Sequence, residues 1–244
     1  MKIGLFIPCY IDMFYPNAGK ATLQLLEKYG CKVEYPMEQT CCGQPMGNSG
    51  FDNKVKKTAR HFVNTFSGYD YIVAPSGSCV HYVKHHYNLL DQTEDVVKVR
   101  DNIFELCDFL YNILNIKIIE ARFPHQVGLH HSCHAHRGLR LGIASELNKE
   151  QFSYPEFYLR QVKDISIVQP ERFDECCGFG GTFSVIEEAV SAKMGLDKVY
   201  SFSNAGAEVI TALDMSCLMH LEGIIKRQKM KMKIMHLSEI LISV

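Results

Sequence analysis

Cysteine offers the most chemistry in this chain: ten of them occur among 244 residues. Eight fall into two ordered sets, Cys9, Cys41, Cys42 and Cys79, then Cys133, Cys176, Cys177 and Cys217. Each set contains an adjacent pair followed by glycine, Cys41-Cys42-Gly43 and Cys176-Cys177-Gly178. Neighbouring Cα atoms lie about 3.8 Å apart, whereas a disulfide spans roughly 4.4–6.8 Å, so neither pair should close on itself. In a reducing compartment such thiols are metal ligands or catalytic groups before they are a disulfide framework. Keeping a thiol as thiolate at pH 7 costs about 2 kcal/mol from a free pKa near 8.5. Metal coordination offsets that cost, a structural zinc site being worth on the order of 10–16 kcal/mol.

By softness, four thiolates suit zinc and iron–sulfur clusters alike. Single-ion zinc sites usually place two to four residues between their paired cysteines. Adjacent cysteines diverge unless the backbone turns, and Gly43 and Gly178 permit that turn. Two sulfurs held somewhat apart fit a body of several irons better than one ion. Each set is therefore expected to hold one iron–sulfur cluster, with zinc in one of the sites as the alternative. Cys31 and Cys107 stand outside both sets and are read as small buried hydrophobes. His130, His131, His134 and His136 crowd Cys133. Such a group can bind metal, but the expectation is packing and hydrogen bonding at a strand end, with His134 the candidate for proton handling. Gly178-Phe179-Gly180-Gly181 lacks the strand and helix setting of a nucleotide loop.

The elements that must position these sulfurs repeat once. Phe6-Ile7-Pro8-Cys9, Thr40-Cys41-Cys42-Gly43 and Ser78-Cys79 are answered by His130-His131-Ser132-Cys133, Glu175-Cys176-Cys177-Gly178 and Ser216-Cys217. The intervals are similar: 41 − 9 = 32 against 176 − 133 = 43, and 79 − 42 = 37 against 217 − 177 = 40. Apolar runs predict strands over 3–8, 32–35, 71–74, 126–130, 164–168 and 208–212. Helical spacing predicts helices over 20–28, 53–66, 80–90, 102–114, 186–200 and 217–227. Strands alternating with helices point to an α/β fold of two pseudo-symmetric repeats, with mainly parallel sheets flanked by helices. The repeats are assigned to 1–120 and 121–244, with the boundary near 116–124. Each quartet is expected to be gathered by its own copy, beyond the carboxyl ends of the strands, where such sheets bind ligands. The segment 234–242 reads as an amphipathic tail packed back on the fold.

Composition narrows the function. The net charge is 26 − 27 = −1, with 47% hydrophobic and 22% charged residues. That is an ordinary globule with a core and no field that favours nucleic acid or an acidic membrane. The apolar run at 3–9 is too short for a signal peptide, and no stretch approaches a membrane span, so a cytoplasmic protein is expected. The basic run 226–233 reads as a solvated helix end before it reads as a docking surface.

The full pattern of a cysteine, a Cys-Cys-Gly and a closing Ser-Cys resembles the cysteine-rich CCG domain, present twice across nearly the whole chain. That domain occurs in heterodisulfide reductase, in the iron–sulfur subunits of glycolate oxidase and anaerobic glycerol-3-phosphate dehydrogenase, and in the lactate-utilisation protein A family. Ile7-Pro8-Cys9-Tyr10, Pro75-Ser76-Gly77-Ser78-Cys79 and Asp214-Met215-Ser216-Cys217-Leu218-Met219-His220 are most similar to the last. The resemblance implies that all eight motif cysteines are cluster ligands, holding one cluster of the 4Fe-4S type per repeat. It also implies an iron–sulfur redox subunit, not active alone, of a complex oxidising L-lactate to pyruvate. The implied partners are a ferredoxin-like iron–sulfur protein and further lactate-utilisation subunits, the complex acting on a small 2-hydroxy acid. The alternatives are the iron–sulfur subunit of another dehydrogenase or reductase, of the glycolate oxidase or heterodisulfide reductase type, and a zinc-stabilised binding module without a redox role. The family motif ends in Cys-x-x-Cys, but Ser76 and Asp214 stand here in place of its first cysteine. They are expected as helix N-caps, which both residue types favour, with oxygen ligation as the alternative.

Overall fold

The computed structural model describes residues 1–244 and contains eight short strands in two separate sheets. The first sheet holds β1 (Lys2–Leu5), β2 (Lys32–Glu34), β3 (Tyr71–Ala74) and β4 (Ile103–Glu105) in the order β2-β1-β3-β4. The second holds β5 (Gln126–His130), β6 (Ser166–Val168), β7 (Val209–Ala212) and β8 (Lys233–His236) in the order β6-β5-β7-β8. Every neighbouring pair is parallel, with Ile3 opposite Val33 and Tyr71, and Val127 opposite Ile167 and Val209. Parallel strands are covered on both faces, which is why Ile72, Val73 and Ala74 in β3 and all of β7 are buried without alternation.

The first half carries α1 (Cys9–Phe14), α2 (Pro16–Lys28), α3 (Gln44–Asn48), α4 (Asp52–Phe66), α5 (Gly77–His86), α6 (Glu94–Asn102) and α7 (Leu106–Asp108). The second carries α8 (Tyr154–Leu159), α9 (Phe183–Ile186), α10 (Glu188–Asn204), α11 (Met215–Arg227) and α12 (Leu237–Leu241). A π-turn, His134–Gly138, takes the place of α1 in the second half. The helices obey the amphipathic rule: α4 turns Val55, Ala59, Phe62, Val63 and Phe66 inward, a stripe at helical spacing.

The α/β fold of two similar halves is as the sequence predicts. One predicted element is corrected: the helix expected over 102–114 is instead β4, then α7 and a second π-turn, Phe109–Ile113. The amphipathic tail packs back on the fold as expected, as β8 followed by α12, which lies on α2. Both segments hold the fourth strand of a repeat, which runs into a helix with no turn residue between. Glu105 and His236 each end a strand and cap the next helix with their own side chains.

The halves lie together about a local two-fold axis. α5 packs on the turn His134–Gly138, as α11 packs on α1. Likewise α7 packs on α8 and α12 on α2, so the last helix of each repeat lies on the other repeat. One core cluster runs through both halves, from Ile3, Leu25 and Phe109 to Val127, Phe202 and Leu241, while a second belongs to the first half alone. Across the axis, the His236 Nε2–H points at the Pro75 carbonyl at 3.1 Å, and Ser238 Oγ donates to the Ala18 carbonyl at 3.0 Å.

Candidate metal centre

Cys9 opens α1 after β1, and Cys133 directly precedes the His134–Gly138 turn after β5. Cys79 and Cys217 sit in the first turns of α5 and α11, after β3 and β7. The pairs Cys41–Cys42 and Cys176–Cys177 lie in the segments after β2 and β6. Each quartet thus gathers at the carboxyl ends of three adjacent parallel strands, as this topology favours.

The two Cys-Cys-Gly turns are nearly identical. Gly43 and Gly178 have φ of 89° and 88°, and their N–H groups donate to Cys41 Sγ and Cys176 Sγ, each at 3.4 Å. A positive φ is what only glycine adopts without strain, and it turns both sulfurs of a pair into the site. Tyr87, fully buried, fixes the first turn by donating its hydroxyl to the Cys42 carbonyl at 2.9 Å.

The sulfurs form two chains. Cys9 and Cys41 Sγ are 3.8 Å apart, and Cys42 and Cys79 Sγ 3.4 Å. Cys41 also interacts with Cys42, and the second half matches it link by link: Cys133 with Cys176, Cys176 with Cys177, and Cys177 with Cys217. In each chain the first cysteine of the adjacent pair is held far below the usual thiol range. Cys42 and Cys9 do this for Cys41, to about 3, and Cys133 and Cys177 for Cys176, to about 2. Hydrogen bonding to those thiolates, then burial, pushes Cys9, Cys42, Cys133 and Cys177 up. A quartet in which the first cysteine of the adjacent pair is favoured as thiolate by two neighbouring thiols suits a soft metal.

All eight motif cysteines line one cleft between the halves, together with Tyr10, His134 and Phe179. Ser76 and Asp214 meet on the axis inside it. Ser76 Oγ donates to Asp214 Oδ1 at 2.7 Å, and so do the Ser78 N–H and hydroxyl, at 2.9 and 2.8 Å. Ser76 caps α5 as expected, accepting from the Cys79 N–H at 3.3 Å. Asp214 does not cap its own helix; it caps α5 of the other repeat. Its second oxygen is buried without a partner. Cys31 and Cys107 lie outside the cleft and pack against the shared core.

Of the four histidines around Cys133, His134 lines the cleft. The His131 and His136 rings lie tilted against each other, and both are edge-on to Phe173, away from the cleft. His130 is 1% exposed; one of its ring nitrogens and the sulfurs of Cys177 and Cys217 lie within 4.8 Å of one another. A further histidine group, not among the candidates the sequence offers, is His81, His85 and His86 on α5. The His81 ring lies 4.9 Å from that of His134, and burial, then His134, pushes it down to about 4. Their signal was visible: His81 and His85 fall on one helix face just after Cys79.

Comparison with known proteins settles the family. The cysteine-rich domain family CCG matches residues 3–84 and again 127–222. Lactate utilization protein A of Halalkalibacterium halodurans is 39% identical, over 99% of this chain and 96% of its own. The chain belongs to the lactate utilization protein A family. The Bacillus subtilis member is 38% identical, over 99% of each chain. Among solved structures, a hypothetical protein from Helicobacter pylori matches 97% of this chain and 47% of its own with a TM-score of 0.58 at 14% identity, which shows a shared fold. The residues present fit a thiolate-bound metal centre of the kind the family's cysteine pattern implies. Eight sulfurs face one cleft, and a carboxylate oxygen and an imidazole beside them are buried with no hydrogen-bond partner.

Proposed function

We propose that the chain is the iron–sulfur electron-carrying subunit of a system that oxidises L-lactate to pyruvate. The observation that carries the reading is the gathering of both sulfur quartets in one cleft by matching Cys-Cys-Gly turns. Cys9, Cys41, Cys42 and Cys79 would hold one cluster, and Cys133, Cys176, Cys177 and Cys217 the other. A thiolate-bound cluster supplies one-electron storage when bound. Oxidising lactate releases two electrons and two protons, and the chain's own groups suit the handling of both. Cys42, Cys79 and Cys177 are buried and keep water from part of the charge the sulfurs would hold, and His134, against His81, places an imidazole at the cleft. The sequence shows no hydride-accepting cofactor motif. The reading therefore includes partner proteins that bind the hydroxy acid, among them a ferredoxin-like protein. Met13, Phe14, Phe51, Val185 and Ile186 are exposed on or beside the helices that follow the cysteine segments. No helix is long and apolar enough to cross a membrane, which accords with a cytoplasmic assembly.

Anaerobic purification followed by iron and acid-labile sulfide analysis tests this. The protein should be brown, and its visible absorption should bleach with dithionite. Cys42→Ser and Cys177→Ser should each remove about half of the iron, while Cys31→Ser keeps all of it. A colourless protein with stoichiometric zinc would end the redox reading. One observation favours zinc in the first quartet as the second reading: the 3.8 Å between Cys9 and Cys41 Sγ equals a tetrahedral edge for zinc–sulfur bonds of about 2.3 Å.

A further inference from the structure

The two quartets differ in what stands behind them. Cys9 follows Phe6 at the same spacing at which Cys133 follows His130, so the two occupy equivalent places past β1 and at the end of β5. Phe6 is buried against Phe62 with ring centroids 4.8 Å apart, in the core of the first half. The helices opposite correspond as well. Phe66 of α4 lies against Gly4, as Phe202 of α10 lies against Gly128. One turn earlier on those helices stand Phe62 and Lys198. An apolar pair in the first repeat is thus a polar pair in the second.

Both polar residues are fully enclosed. Lys198 is 0% exposed and donates to the Arg172 and Phe173 carbonyls, both at 2.8 Å. His130 has no such satisfaction: neither ring nitrogen has a hydrogen-bond partner. A buried imidazole normally finds one, since leaving it unpaired costs about 1–3 kcal/mol. One nitrogen lies within 4.8 Å of both Cys177 and Cys217 Sγ, a spacing that one metal atom can bridge. An unpaired buried nitrogen facing two thiols is what a nitrogen ligand to a soft metal looks like. Burial, then the nearby Lys198 ammonium, disfavours the imidazolium, which keeps a lone pair free.

We propose that His130 is a nitrogen ligand of the second centre, bonding the metal that Cys177 and Cys217 hold. The first centre then has thiolate surroundings backed by phenyl rings, and the second has mixed thiolate and imidazole ligation. The two centres are chemically unlike. Imidazole ligation sets the potential of an iron–sulfur centre apart from that of an all-thiolate one, so the two centres should differ in reduction potential.

This inference rests on the metal-centre reading above, and its test keeps the two apart. Anaerobically reconstituted full-length protein is reduced and examined by pulsed electron paramagnetic resonance, with natural-abundance and 15N-histidine samples. The expected result is a strong nitrogen coupling from one directly bound imidazole, replaced by the 15N pattern on labelling. His130→Phe, which installs the residue the first repeat carries, and His130→Gln should both abolish it, and His134→Gln should keep it. Absence of coupling in the unmutated protein overturns the proposal, as does coupling that survives in His130→Gln or disappears in His134→Gln. Absence of coupling in the unmutated protein, or its loss in His134→Gln, overturns the proposal even if the His130 variants fail to fold. Iron and sulfide content of the same samples reports on the cluster reading separately. Were it to fail there, the same nitrogen coupling is read in the cobalt(II)-loaded chain.

Discussion

At the scale of single residues, the Cys-Cys-Gly turns do the aiming, and their glycines are not equally replaceable. A Cβ on Gly43 would sit 3.3 Å from Val55 Cγ1, which can shift; one on Gly178 would meet Met194 Cβ at 2.7 Å and the Ser191 carbonyl oxygen at 2.8 Å. Gly43→Ala should therefore cost about the left-handed penalty of 1–2 kcal/mol. Gly178→Ala should cost clearly more, and it should deplete metal from the second quartet. Urea unfolding of both variants checks this; equal losses would mean that the α10 contact yields freely. The cysteine ligand candidates were legible because a thiol quartet has few other uses. His130 was seen in the sequence but not singled out, because four histidines in seven residues share one motif and only burial separates them. Asp214 was legible as a helix cap, yet the helix that it caps belongs to the other repeat, and no local pattern encodes that.

At the scale of elements, the strands with continuous apolar runs, β1, β3, β5 and β7, could be read directly, and their flanking helices within a few residues. The strands β4 and β8 could not. Ile103-Phe104-Glu105 and Ile234-Met235-His236 pass straight into helices, so the first is absorbed into a helical pattern and the second into an amphipathic run of no fixed period. His236 shows what the tight junction demands. It is fully enclosed, its Nδ1 accepts from the Ser238 N–H at 3.1 Å, and its Nε2–H faces the Pro75 and Leu213 carbonyls at 3.1 and 3.3 Å. Burial pushes its pKa down to about 4. Because the folded value lies below the unfolded value of about 6.5, the unfolded chain binds more protons between the two. Stability is then complete above about pH 6.5 and declines as pH falls to 4, by on the order of 3 kcal/mol from this group. Unfolding free energies at pH 7 and 4.5 should differ less in His236→Gln, which keeps an N–H donor but does not titrate. An unchanged difference would assign the acid sensitivity elsewhere.

At the scale of the whole molecule, the two repeats are tied together at the very place where their sulfurs gather. A Cβ on Gly77 would lie 2.4 Å from Ala135 Cβ and 2.9 Å from its Cα, so α5 and the His134–Gly138 turn touch backbone to backbone across the axis. Gly77→Ala should push the halves apart and lower the metal content of both quartets together, unlike a cysteine replacement, which empties one. Metal analysis alongside thermal unfolding distinguishes these patterns, and loss confined to the first quartet would show that the halves fold around their sites separately. Sequence periodicity revealed the repeat but not this fusion, because interfaces between repeats use the same apolar residues as their cores.

The pairing of Ser76 with Asp214 carries one more consequence. These are corresponding positions of the two repeats, so each occupies the spot where a two-fold assembly of identical chains would bring a residue against its own copy. Such an assembly admits only like with like there: two hydroxyls, or two carboxylates repelling each other in a buried place. Joining both copies in one polypeptide lifts that restriction and lets a donor face an acceptor. The asymmetry that a homodimer could never encode is thereby written into the centre of the molecule.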